Sequence, residues 1–107
     1  MSSEKEPVQV EPVAPFHVDM SLYEEDKYVV PNKFTGQTVT LTPTATAVYD
    51  IITSAELLAT QLTNEHDDMS AISQDMEKLI DGLWETVRKG LDWFREHYAK
   101  EYMVILD

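Results

Sequence analysis

From Met69 to Tyr98 apolar side chains return every three or four residues: Met69, Ile72, Met76, Leu79 and Ile80, Leu83, Val87, Leu91, Phe94 and Tyr98. That spacing marks one face of a helix. A continuous helix over this span would make about eight turns and reach ~45 Å. Its apolar stripe must lie against something. The rest of a 107-residue chain therefore has one main task, which is to cover that stripe.

A second helical stripe answers it. Val48, Ile51 and Ile52, Ala55, Leu58 and Ala59, and Leu62 recur at the same spacing. Thr42-Pro43 supplies a hydroxyl at the N-cap and a proline at the first helical position. The expected helix runs over 43–62. Thr44-Ala45-Thr46-Ala47 opens it with mixed propensity, so packing must hold that turn. In the longer pattern, Lys89-Gly90 reads as a helix end, a basic residue before a C′ glycine. The expectation is a helix over 69–89, a break, and a short helix over 91–98. Gly82 reads as a helix-interior position where another backbone comes close.

Two β-rich runs precede the helices. Tyr28-Val29-Val30 and Thr38-Val39-Thr40-Leu41 flank a loop holding Pro31, Asn32 and Gly36, which reads as a hairpin with a long connection. An isolated two-stranded hairpin is marginal, and Phe34 in the loop is the expected anchor. The apolar ending Tyr102-Met103-Val104-Ile105-Leu106 reads as extended, with 102–106 available as a third strand. The expected fold class is α-rich α+β: an antiparallel helical hairpin, a short third helix, a small β-hairpin and this C-terminal strand.

Residues 1–27 differ in kind. Pro7, Pro12 and Pro15 alternate with valines, which favours extended backbone over helix. The segment reads as a flexible acidic N-terminal arm, with residues 28–107 as one small domain. The alternative for Phe16 to Tyr23 is a docking segment laid along the body or a partner.

Charge is uneven. Residues 1–27 carry seven acids and two bases, 28–55 carry only Lys33 and Asp50, 56–85 carry eight acids and one base, and 86–107 carry four of each. The total, −12, disfavours direct contact with nucleic acid and with anionic membrane surfaces, both of which need cationic side chains. It favours a protein partner with a basic surface. No apolar run approaches the ~20 residues of a transmembrane helix, and residues 1–7 lack the pattern of a signal peptide. A cytoplasmic setting is expected, host-cell cytoplasm or virion for a viral product.

The chemistry available to the chain is sparse. There is no cysteine, so thiolate nucleophiles, disulfides and Cys-based metal sites are excluded. Glu65-His66-Asp67-Asp68 has ligand chemistry, but four consecutive residues do not converge on one point and no second histidine stands at helical spacing. His17 and His97 have no neighbours suggesting a triad. Gly36, Gly82 and Gly90 are isolated, so no phosphate-binding loop is present. The expectation is a non-enzyme with no cofactor and no metal.

Binding candidates remain. The loop before the second helix and the helix's polar side carry Glu65, Asp68, Asp75, Asp81 and Glu85, with Asp67 and Glu77, interrupted only by Lys78; Asp75, Asp81 and Glu85 are the partner-binding candidates. Such a face is usually just solvated, but its one-sidedness suits a basic partner. Trp84, Trp93, Phe94, Tyr98 and Tyr102 read first as core, but Trp84 and Trp93 fall beside the apolar stripe rather than on its centre, and one of the two, if exposed, would serve as a binding hot spot. The functional expectation is a protein-binding accessory factor acting through its acidic surface. The alternative is a structural or assembly component working as a homo-oligomer.

Asn32-Lys33-Phe34-Thr35-Gly36, leading through Thr38-Val39-Thr40-Leu41 to Thr42-Pro43, and the ending Trp93-Phe94, Tyr98, Glu101-Tyr102 to Leu106-Asp107 resemble short uncharacterised proteins of tailed, particularly marine, bacteriophages. The resemblance covers about a third of the chain and leaves out residues 1–27. It implies a phage origin and gives no residue a role.

Overall fold

A computed structural model of the chain describes residues 12–65 and 74–106. Strand β1 (Tyr28–Pro31) pairs antiparallel with β2 (Thr38–Leu41), Tyr28 opposite Leu41 and Val30 opposite Val39. Three helices follow: α1 (Pro43–Glu65), α2 (Gln74–His97) and α3 (Ala99–Ile105). The two long helices pack against each other. Their order is antiparallel: Thr42 meets Tyr98, Ile52 meets Gly90, and Glu56 shares a groove with Val87. The fold is the α-rich α+β helical hairpin expected from the sequence. No helix among the described residues is long and apolar enough to cross a membrane.

The period-two pattern of the hairpin sorts its faces. Val30 and Leu41 are buried against the helices, while Val29, Thr38 and Thr40 face outward. Thr42 caps α1, its Oγ1 accepting from Ala45 N at 3.2 Å. The weak opening turn is held as expected, since Ala45, Thr46 and Ala47 are all buried. α1 extends to Glu65, past the expected end at 62. Residues 69–73, the expected start of the second helix, lie outside the described residues.

Three expectations are corrected. First, α2 does not break at Lys89-Gly90 but continues to His97, absorbing the expected short helix over 91–98. Gly90 is buried against α1, where a Cβ would overlap the Ile52 side chain and lie 3.5 Å from Phe16 Cε2. Its role is close helix approach, the one expected of Gly82. A Cβ at Gly82 would meet nothing within 4 Å, so that glycine sits in the open. Second, the ending is helical. Tyr98 leaves helical geometry at φ −138°, yet its N–H still donates to Phe94 O and its carbonyl accepts from Tyr102 N. Tyr98, Tyr102, Ile105 and Leu106 then step by four and three, placing them all against the core. α3 packs on β2, so the sheet keeps two strands. Third, Phe34 anchors nothing and is 96% exposed. The hairpin is tied down instead by Asn32, whose Nδ2 donates to Val104 O at 2.6 Å.

Residues 1–11 of the expected arm lie outside the described residues. From Pro12 the chain runs along the helical pair. The Trp93 indole N–H donates to Val13 O at 2.7 Å. Ala14, Phe16 and Val18 pack on the core. After a 3₁₀ turn over Met20–Leu22, the Tyr23 hydroxyl donates to Asp50 Oδ2 at 2.6 Å. Burial first, and then this bond to a carboxylate, push the Tyr23 hydroxyl pKa up to about 12.

Candidate functional site

The core lies at one end of the helical pair. Val30, Leu41, Val48, Ile52, Val87, Trp93 and Phe94 form it with α3 and the arm around them. Trp93, Phe94 and Tyr98 make an aromatic cluster with ring centroids 5.3–5.9 Å apart. The other end of α2 is different. From Gln74 to Thr86 no side chain is fully buried, and Leu79 and Trp84 are exposed.

The acidic candidates sit on that open end. Asp75, Glu77, Asp81 and Glu85 are all exposed. At 3.6 residues per turn, Glu77, Asp81 and Glu85 follow each other at i, i+4 and i+8 along one stripe. Asp75, six residues before Asp81, points about 120° away from it. Glu77, expected on this side but not among the partner-binding candidates, therefore joins Asp81 and Glu85, and its i, i+4 spacing from Asp81 is the signal that groups them. Glu85 is bridged to Arg88 at 2.7 Å, and further along Asp92 is bridged to Arg95. Such exposed i, i+3 pairs contribute little to stability but partly neutralise both carboxylates. Among the described residues, Asp75, Glu77 and Asp81 have no ion-pair partner.

The two tryptophans separate. Trp93 is 6% exposed, its indole held by the arm, so it is part of the core and not of the surface. Trp84, 37% exposed, flanks the acidic stripe. It also forms one wall of a shallow groove of about 420 Å³, with Val87 and Leu91 as floor and Glu56, Arg88 and Arg95 at the rim. The structure thus brings together Glu77, Asp81, Glu85 and Trp84, and places Asp75 and Trp93 elsewhere.

This arrangement suits recognition. Carboxylates along one line accept Lys or Arg side chains, Trp84 offers a face for a cation, and the groove floor takes an apolar side chain. The Glu65-His66-Asp67-Asp68 cluster falls, from His66 onward, outside the described residues. Among the described residues no three His, Asp or Glu side chains gather closely enough to hold a metal ion. Comparison with family models, curated proteins and solved structures finds no match.

Proposed function

We propose that the chain is a protein-binding accessory factor that presents the open half of α2 to a partner with a basic surface. The observation that carries this reading is the coincidence of an acidic stripe, Glu77, Asp81 and Glu85, with an exposed tryptophan at the edge of an apolar groove. The partner chemistry that fits is an amphipathic segment. Its lysines and arginines lie along the stripe, and one apolar side chain enters the groove beside Trp84. The resemblance to bacteriophage proteins makes a viral product acting in the host cytoplasm the matching setting.

A designed amphipathic helical peptide, rich in lysine and arginine with one leucine face, is the probe. Its binding is measured calorimetrically at low salt and at high salt. Affinity falls as salt rises, because exposed charges are screened over a Debye length of about 10 Å at 0.1 M and only about 3 Å at 1 M. Glu77→Lys/Asp81→Lys/Glu85→Lys abolishes binding, and Asp75→Lys weakens it less. Equal affinity for the wild type and the triple variant would refute the reading.

A further inference from the structure

The hairpin loop holds a feature that the acidic stripe does not use. Asn32 Oδ1 accepts from Phe34 N at 2.7 Å and Thr35 N at 2.9 Å, while Gly36 N donates to Asn32 O at 3.1 Å. Gly36 completes the turn at φ +80°, a left-handed conformation that suits glycine. With Asn32 also fastened to Val104 O, the loop is organised at both ends. Its product is a phenyl ring 96% exposed on a well-tethered turn. A large apolar side chain on a preorganised loop loses little freedom when it is captured.

Beside that ring is a groove of about 360 Å³ between the hairpin, α1 and α3. Asn32 and Phe34 itself form its hairpin wall, Tyr49, Thr53, Ile105 and Leu106 line the rest, and Lys33 and Glu56 are its charged members. Among the described residues neither Lys33 nor Glu56 has an ion-pair partner. Knob and groove therefore lie side by side on one surface. A two-fold axis between them sends each knob into the other copy's groove, the self-complementary arrangement of an isologous dimer. The same axis sets Lys33 of one protomer against Glu56 of the other. Charge points to the same face. In a chain of net charge −12, the charged lining of this groove is one base and one acid, Lys33 and Glu56, so two copies meet here without net repulsion from it.

We propose that the protein forms a two-fold homodimer in which Phe34 of each protomer seats in the groove between the hairpin, α1 and α3 of the other. A face this small belongs with weak interfaces, below about 1,200 Å² in total. The dimer is therefore expected to assemble only as concentration is raised. Phe34 and Lys33 lie outside the Trp84 groove, whereas Glu56 lines both grooves, so loss of the dimer in Phe34→Ala or Lys33→Glu and loss of peptide binding in the α2 triple variant are separately observable.

Light scattering behind a sizing column, with loading raised to the millimolar range, tests it. The wild type moves from 12.3 kDa toward twice that mass as concentration rises. Phe34→Ala stays monomeric with unchanged circular dichroism, as expected for a side chain with almost no contact in its own protomer. Lys33→Glu and Glu56→Lys each weaken the dimer at least tenfold when alone. An equimolar mixture of the two restores it, because each contact across the axis then pairs opposite charges. A wild type that remains at 12.3 kDa throughout overturns the proposal. So does a Phe34→Ala variant that dimerises as well as the wild type, or a mixture no better than its components.

Discussion

The two halves of α2 have the same stripe and opposite surroundings. From Val87 to Phe94 the helix is enclosed by α1 on one side and the arm on another, with the aromatic cluster sealing its end. From Gln74 to Thr86 only α1 encloses it among the described residues, and Leu79 stays 49% exposed. A helical pair buries one face of each partner and leaves apolar surface over. In the enclosed half, β1, β2, α3 and residues 12–23 take up that remainder. In the open half nothing among the described residues does. The enclosed half holds the fold together, which frees the open half to carry charge and a partially exposed tryptophan.

The sharpest contrast comes from truncating one side chain in each half. Phe94 is fully buried, and Phe94→Ala is expected to cost ~3–5 kcal/mol and to leave a poorly folded chain. Leu79→Ala should change stability by no more than about 0.5 kcal/mol, as at exposed positions generally. Denaturant midpoints measure both. Comparable losses would mean that the open half is packed in solution.

The two glycines give a second contrast, this time in sign. Gly90→Ala forces Ile52 aside and destabilises by ~1–3 kcal/mol. Gly82→Ala meets open space and stabilises by about 1 kcal/mol through helix propensity alone. Thermal melts of the pair decide it, and melting shifts of the same sign would remove the distinction.

Tyr23→Phe is the mildest change, about 1 kcal/mol for the lost bond to Asp50. Its pH dependence locates the arm's contribution. The hydroxyl titrates near 12 in the folded chain, above its ordinary 10, so the bond's contribution is whole below pH 10. It drains away as pH climbs from 10 to 12. The stability gap between wild type and Tyr23→Phe should therefore be present at about pH 9 and should shrink and close as pH climbs past 10. A gap that persists would show that the hydroxyl is not the group responsible.

What could be read from the sequence was what local spacing determines. The two helical stripes, the Thr42 cap and the existence of the hairpin all follow from residues within a turn or two of one another. The misreadings share one cause. Gly90 looks like a helix end until Ile52, far away in the chain, is placed against it. Tyr102 and Ile105 look extended until Tyr98 is seen to carry the hydrogen-bond ladder past the bend. Trp84 and Trp93 stay undivided between core and surface until Val13 arrives to cover the Trp93 indole. At the candidate site, Asp81, Glu85 and Trp84 are legible, and Glu77 is within reach by the same i, i+4 count. The departure of Asp75 from the stripe is equally a matter of helical angle, lost when the acids are read as one cluster.

The bond from Trp93 to Val13 bridges 80 positions, and that from Asn32 to Val104 bridges 72. Contacts of such separation close late, since the intervening chain must first surrender its freedom. The open half of the helical pair draws on neighbours in sequence and can gather early, whereas the enclosed half waits for residues near both extremes of the chain. During synthesis residues 12–23 emerge long before Trp93 exists to receive them. Until then Phe16 and Val18 travel uncovered, exposed to whatever else in the cell is looking for an apolar strand.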